Sequence, residues 1–155
     1  MARIISVDIF MVDLQPMVRR TDAIQSFDSQ QTPFVQITDS DGGTGLGYSY
    51  TIGQGGSAVM ALLRDDLIGQ LIGQDAEEIG RIWRDLLFSI HATAVGAISS
   101  LALAAIDIAL WDLRCKRAKL PLYKMLGGAK SSVAMYTTEG GWLHIDTADL
   151  VADAL

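Results

Sequence analysis

The side chains with the most obvious catalytic potential are two acids in an otherwise apolar stretch, Asp107 and Asp112. Paired carboxylates can share general acid and base work. Positions five apart on a helix, however, face different directions. We therefore expect structural roles, because an acid in an apolar helix normally accepts a hydrogen bond from a backbone N–H, an arginine or an indole N–H. The available indoles are those of Trp83, Trp111 and Trp142.

The single cysteine and the two histidines show no catalytic pattern. Cys115 lies near the end of the same apolar stretch with no histidine close in sequence, so we expect a packing thiol rather than a nucleophile. One cysteine allows neither an intramolecular disulfide nor a cysteine-based zinc cluster, which fits a reducing compartment. His91 and His144 lack the partner spacing of a metal site and are expected to be structural or solvated.

Composition restricts the class of protein. With 155 residues, of which 50% are hydrophobic, the chain can bury one good core and is too short for two ordinary domains. A net charge of -6 argues against a nucleic-acid partner. The apolar run over residues 91–106 is shorter than the ~20 apolar residues that span a bilayer, and Asp107 follows it directly. The first residues lack the apolar core of a signal peptide, so we expect a cytoplasmic protein with no membrane contact.

The first third of the chain predicts a sheet. Alternation over residues 5–11 indicates a strand with one face in a core. A second strand is predicted over residues 34–38, and an Asp-Gly turn returns the chain through residues 45–50. Between the first two strands lies a polar loop, residues 13–31, whose length is typical of functional or mobile loops. These segments predict a three-stranded antiparallel meander.

Two amphipathic helices are predicted next. Ser57 can cap the first, which has leucines at positions 63, 67 and 71 and ends at Gly73. Asp75 and Glu78 resemble a capping box for the second. That second helix has one apolar stripe, formed by Ile79, Ile82, Trp83, Leu86 and Leu87.

The third predicted helix, residues 94–118, is apolar on nearly every face and therefore needs a covering partner. The cations at its end, Arg114, Lys116, Arg117 and Lys119, are interpreted as favourable charges beside the exposed helix carbonyls. Pro121 prevents the helix from resuming, and Gly127-Gly128 forms a joint. A strand over residues 133–138 and a helix beginning at 146 then make one βα unit.

Two motifs carry a resemblance to a known family. Residues 105–113 read AIDIALWDL and residues 119–128 read KLPLYKMLGG. With the order of elements around them, they resemble the mandelate racemase and muconate lactonizing enzyme branch of the enolase superfamily. The resemblance implies an α+β fold: a three-stranded meander followed by a helical bundle, residues 1–128, as an N-terminal capping domain. Residues 129–155 would be the first βα unit of a truncated α/β (TIM-like) C-terminal barrel.

The resemblance also implies a chemistry. Enzymes of this family abstract the proton α to a carboxylate and stabilise the resulting enediolate with Mg²⁺. Their bases and three acidic metal ligands stand on later barrel strands, so the resemblance places no catalytic or metal-binding residue in this chain. The 155-residue chain alone is expected to be inactive.

What the capping domain would contribute is substrate binding. By the resemblance, the loop over residues 13–31 is a lid, and Arg19 and Arg20 could hold a carboxylate or hydroxyls, because guanidinium binds carboxylates bidentately. The alternative is that both are solvated loop charges. Phe27 is either an apolar lid contact or a loop anchor. Tyr50 either donates a hydrogen bond to substrate or packs between domains.

At the end of the predicted first barrel strand, Thr138 and Glu139 lie where barrel enzymes place their chemistry. Glu139 could equally be a surface acid before a turn. The polar, arginine-bearing lid favours a sugar-acid dehydratase acting on a small-molecule hydroxy acid or sugar acid. A racemase, epimerase or cycloisomerase is the alternative, and a noncatalytic binding or assembly module is the alternative of another class. The expected partners are the chain's own C-terminal barrel and further copies in a homo-oligomer.

Overall fold

The computed structural model describes residues 2–93, 96–138 and 142–153 and has an α+β fold. The strands are β1 (Ile4–Leu14), β2 (Arg20–Thr21), β3 (Ser26–Phe27), β4 (Gln30–Asp39), β5 (Thr44–Tyr48) and β6 (Thr51–Ile52). The helices are α1 (Gly56–Leu62), α2 (Ile79–Ser89), α3 (Ala97–Ala118), α4 (Leu122–Met125) and α5 (Thr147–Asp153). Between α1 and α2 lie a π-helical turn, Leu63–Leu67, and a 3-10 turn, Ile68–Gln70.

The main sheet confirms the predicted meander. Its strand order is β1-β4-β5, all antiparallel, and β6 pairs with the start of β4. Cross-strand aromatics reinforce the pairing, since Phe34 lies between Phe10 and Tyr48 with ring centroids 4.9 and 5.8 Å away. At the β4–β5 turn, Asp39 Oδ1 accepts hydrogen bonds from the backbone N–H groups of Asp41 and Gly43.

The predicted inward face of β1 is correct only in part. Val7 and Ile9 pack against the core. A register shift between Ile4 and Ser6, however, changes the alternation at the start of the strand. Ile4 is consequently 1% exposed and Ile5 57% exposed. A single extra residue in one strand moves the side chains before it to the opposite face.

Both predicted helix caps are wrong. Ser57 lies inside α1, whose N-cap is Gly55 at a φ of 112°, and Gln31 Oε1 accepts the hydrogen bond of the Gly56 N–H. The Asp75 side chain accepts a hydrogen bond from the Glu77 N–H at 3.1 Å. This bond closes a local turn that ends before α2 begins, so Asp75 does not cap the helix. The predicted leucines 63, 67 and 71 are all fully buried.

Helix α3 packs directly on β5 through small residues. A Cβ atom built on Gly47 would fall inside the contact distances of Ala105 O and Ala109 N, and one on Gly45 would collide with Ala109 O. Glycine is therefore required on this face of β5, because the helix backbone lies against the strand. The core forms around this contact and includes Val35, Ile37, Val59, Ile106, Leu110 and Leu113.

Two of the basic residues at the end of α3, Arg114 and Arg117, have acidic partners far away in the sequence. Arg117 pairs with Asp39 at 3.3 Å, Asp41 at 2.7 Å and Glu77 at 3.2 Å, and Arg114 also bonds Glu77. The interpretation as simple helix-end charges was therefore incomplete. These ion pairs join α3 to the β4–β5 turn and to the segment before α2.

The two elements predicted after the Gly-Gly joint differ in outcome. Residues 133–138 form no strand, because no neighbouring strand among the described residues offers a hydrogen-bonding ladder. The predicted helix is present as α5, and Asp146 Oδ1 accepts a hydrogen bond from the Asp149 N–H at 2.9 Å near its start.

Candidate functional site

The segment predicted as a long loop contains a small hairpin. β1 and β4 extend their pairing to Leu14 and Gln30, which shortens the loop at both ends. Within it, β2 and β3 pair through Arg20 with Phe27 and Thr21 with Ser26. Asp22 Oδ1 closes the turn by accepting hydrogen bonds from the Ile24 and Gln25 N–H groups at 2.7 and 2.8 Å.

The hydrogen bonds at this turn also lower the pKa of Asp22. The backbone N–H of Gln25, followed by that of Ile24, holds the pKa of the Asp22 carboxyl below its ordinary value. Asp22 therefore carries a negative charge at neutral pH at the tip of the hairpin, two residues beyond Arg20.

Trp142 joins the hairpin to the last part of the chain. Its ring meets Phe27 edge-on, with centroids 5.4 Å apart and an interplanar angle of 80°. The Arg20 guanidinium carbon lies 5.4 Å from the same ring centroid. Next to it, the Leu143 N–H donates to Thr21 O at 2.9 Å. We call Arg20, Phe27 and Trp142 the Trp142 cluster.

A cavity of about 170 Å³ opens beside this cluster. All three residues of the Trp142 cluster line it, together with Gln30 and Ile52 from the main sheet. The lining thus combines one guanidinium and two amides with aromatic and aliphatic side chains. Such a set suits part of a polar, anionic molecule, since the guanidinium binds carboxylate and hydroxyl oxygens while the rings contact its carbon atoms.

The other predicted site residues lie elsewhere. Arg19 forms an exposed ion pair with Asp28 at 2.7 Å and does not line the cavity. Tyr50 is 48% exposed, lies between β5 and β6 and is likewise absent from the lining. Thr138 is exposed. Glu139 lies outside the described residues. The structure therefore brings together Arg20 and Phe27 of the predicted set.

The two acids of α3 occupy different environments. Asp112 Oδ2 accepts a hydrogen bond from the Leu46 N–H at 2.8 Å and pairs with Lys116 at 2.7 Å, which confirms its structural role. Asp107 is half-buried on the outer face of α3, and this burial raises the pKa of its carboxyl. Cys115 is buried, as expected of a packing thiol.

Helices α3 and α4 frame a second, larger cavity on the outside of the domain. Its volume is about 690 Å³, and its lining is mostly apolar, including Ile108, Trp111, Leu122 and Leu126 beside Asp107. Several of these side chains are substantially exposed, so this surface is an apolar face at the edge of the described structure.

Neither a metal site nor a membrane-spanning helix is found in the described ranges. Within residues 2–93, 96–138 and 142–153, no three His, Cys, Asp or Glu side chains are grouped so that they could hold a metal ion. No helix in those same ranges combines the length and the hydropathy that crossing a membrane requires. The described residues therefore do not fit a magnesium site.

Comparison with known proteins decides the family. The family model of the mandelate racemase / muconate lactonizing enzyme N-terminal domain matches residues 5–127. The chain belongs to the mandelate racemase/muconate lactonizing enzyme family. The resemblance seen in the two α3–α4 motifs is confirmed, and the α+β fold is that of the N-terminal capping domain of this family.

Similar family members catalyse more than one reaction. The 3,6-anhydro-alpha-L-galactonate cycloisomerase of Streptomyces coelicolor is 46% identical over 121 residues, which are 77% of this chain and 33% of the cycloisomerase. L-Talarate dehydratase from Polaromonas sp. JS666, complexed with Mg and L-glucarate, superposes with a TM-score of 0.91 at 33% identity, covering 99% of this chain and 43% of that one. A racemase from Streptomyces coelicolor A3(2) with bound magnesium gives a TM-score of 0.90 at 38% identity, covering 97% and 42%.

The coverage values show what part of the family's structure is present. The chain spans about a third of the length of the cycloisomerase and less than half of each of these two solved structures. Within the family, it corresponds to the N-terminal part.

Sequence reasoning missed Trp142 as a site residue. The sequence suggests its indole only as a donor to the acids of α3, whereas its ring contacts the hairpin more than 100 positions earlier. A weak signal existed, since a large aromatic directly follows Gly140-Gly141 at the predicted end of a barrel strand.

Proposed function

We propose that this chain is the N-terminal part of a magnesium-dependent enzyme that abstracts the proton α to the carboxylate of a sugar acid and eliminates water. The observation that supports this proposal is the cavity beside the Trp142 cluster, where a guanidinium and an amide lie next to the segment predicted as a lid. The likeness to the dehydratase complexed with L-glucarate supports the same substrate class.

The proposal gives each predicted site residue a role. Arg20 binds a carboxylate or hydroxyl oxygen of the substrate, since its guanidinium lies at the cavity. Phe27 fixes the hairpin by packing on Trp142. Substrate contacts by Arg19, Tyr50, Thr138 and Glu139 remain predictions, and the exposed pairing of Arg19 with Asp28 favours its solvated alternative.

The domain division is part of the proposal. Residues 1–128 would form the capping domain, and residues 129–155 would begin the barrel. The apolar face of α3 and α4 supports this division, because an exposed surface of this kind normally packs against another domain or chain. The magnesium ligands would then come from the barrel, and Mg²⁺ held there would supply positive charge to the substrate carboxylate.

Two further expectations belong here. A homo-oligomer, implied by the resemblance, and a cytoplasmic location, expected from the sequence, stay predictions.

A cycloisomerase is the second candidate. It is favoured by the 46% identity to the cycloisomerase of Streptomyces coelicolor. Both reactions act on acids derived from sugars, so the capping domain could serve either, and the difference would lie in the residues of the barrel.

Product analysis distinguishes the candidates. The full-length protein is incubated with Mg²⁺ and L-glucarate, L-talarate or 3,6-anhydro-L-galactonate, and products are followed by mass spectrometry and NMR. A dehydratase gives a keto acid lighter by one water, whereas a cycloisomerase or racemase gives a product of unchanged mass. A folded protein that changes none of the acids would contradict the proposal and favour a noncatalytic module.

The lid assignment has a matched pair of variants. Arg20→Met should raise KM for the sugar acid at least tenfold, because a charge-assisted hydrogen bond is lost. Arg19→Met should leave KM within about twofold, since an exposed ion pair contributes little. Equal effects of the two substitutions would contradict the assignment of Arg20.

A further inference from the structure

The contacts between the β2–β3 hairpin and Trp142 are of three independent kinds. Phe27 packs edge-on against the indole ring, Arg20 lies over it, and the backbone of Leu143 bonds Thr21 O. Together they tie both two-residue strands of the hairpin to a segment far away in the chain. A two-stranded hairpin of this size is not stable by itself in water, so its order depends on such contacts.

We infer that Trp142 is a positioning residue that holds the hairpin closed over the cavity and thereby places Arg20 for substrate binding. This inference deepens the proposed function and rests on it for the substrate class. Trp142 acts through Phe27 and Arg20 and is not itself assigned a contact with the reacting atoms.

The indole ring rather than its N–H carries this role. The Nε1 atom is buried and has no hydrogen-bond partner among the described residues. A buried donor without a partner adds nothing to the attachment and opposes burial of the ring. Phenylalanine keeps an aromatic face for Phe27 and Arg20 and removes this donor, so it is the conservative variant for the test.

A held hairpin matters because substrate binds only to the fraction of molecules in the competent conformation. When that fraction falls, the apparent affinity falls in proportion while the chemical step within the complex is unchanged. Loss of the two ring contacts should raise the population of molecules with an open hairpin about tenfold. The expected signature is therefore a higher KM with little change in kcat.

Tryptic cleavage at the hairpin measures the opening directly. Arg20 precedes Thr21 inside β2, so trypsin cuts this bond only when the hairpin opens, and the cleavage rate reports the open population. In the full-length protein, Trp142→Ala should speed this cleavage about tenfold, whereas Trp142→Phe should stay within about threefold of the wild type. Trp83→Ala, which removes a 42% exposed indole on α2, is the matched control and should leave the rate unchanged.

Each outcome decides one part of the inference. Unchanged cleavage in folded Trp142→Ala protein would overturn the attachment, whether or not a sugar acid is turned over, so its failure is separable from failure of the proposed function. Faster cleavage with an unchanged KM would overturn the positioning role. If Trp142→Ala does not fold, hydrogen exchange of the wild type decides: the Leu143 amide should exchange at the same rate as the hairpin amides, and a faster rate would overturn the attachment.

Discussion

Replacing Gly47 by alanine should destabilise the fold even though alanine suits the backbone there. Gly47 pairs with Val35 in the sheet and is not among the glycines with positive φ. In open space, such a replacement stabilises a protein by roughly 0.4–1 kcal/mol, because the unfolded chain loses freedom. At Gly47, the new Cβ would collide with Ala105 O and Ala109 N.

The size of the effect follows from what must move. Both colliding atoms belong to the backbone of α3, whose inner face forms much of the core, so no flexible side chain can turn aside. Inserting a methyl group into a well-packed contact costs about 1–3 kcal/mol, and the rigid neighbour places Gly47→Ala at the upper end of that range. For a chain of this size, ~3 kcal/mol lowers Tm by roughly 6–12 °C.

Gly80→Ala is the matched control. Gly80 is exposed in α2, and a Cβ there meets nothing within 4 Å. The Gly80→Ala variant should gain up to ~1 kcal/mol in free energy of unfolding, because alanine has the higher helix propensity. Urea unfolding followed by circular dichroism, with Tm from the same signal, measures both variants. A Gly47→Ala protein as stable as the wild type would refute the close packing of α3 on β5, as would equal losses in both variants.

Three further predictions concern stability, each measured as the free energy of unfolding in urea. Arg117→Gln should cost about 3 kcal/mol, because it leaves the fully buried Asp39 carboxylate without its cation. Its control, Arg64→Gln, removes an exposed ion pair and should cost under ~0.5 kcal/mol. Leu67→Ala should cost about 2–5 kcal/mol, since Leu67 is fully buried. Burial raises the pKa of the Asp107 carboxyl, so the wild type loses free energy of unfolding as pH rises from the ordinary carboxyl pKa through the folded one. Asp107→Asn has no such carboxyl and should become more stable relative to the wild type over that rise in pH, and parallel pH profiles would contradict this.

Features set by local spacing could be predicted from the sequence. The meander follows from alternation and an Asp-Gly turn, and α3 from an apolar run that ends before Pro121. The buried leucines of 63–71 were correct even though the backbone there winds as π and 3-10 turns. Side-chain periodicity reports which face is buried, whereas the hydrogen-bonding pattern also depends on how the turn fits its neighbours.

Features that depend on distant contacts could not be predicted. Arg117 looks like a helix-end cation in sequence, and its acidic partners are brought to it by the fold of β4 and the segment before α2. Residues 133–138 have strand propensity, but a parallel strand needs a neighbour to pair with. Trp142 lines the candidate site only because the hairpin packs against it.

Exchange of the substrate α-proton tests the central claim most directly, because it is the step proposed for this protein whichever product forms. The full-length protein is incubated in deuterated buffer with Mg²⁺ and the sugar acids named above, and the α-proton signal is followed by NMR. We predict that the signal of at least one acid, or of its product, is lost at the α position, and that EDTA prevents this. A folded protein that leaves the α-proton signals of all these acids unchanged with Mg²⁺ present would contradict the assignment.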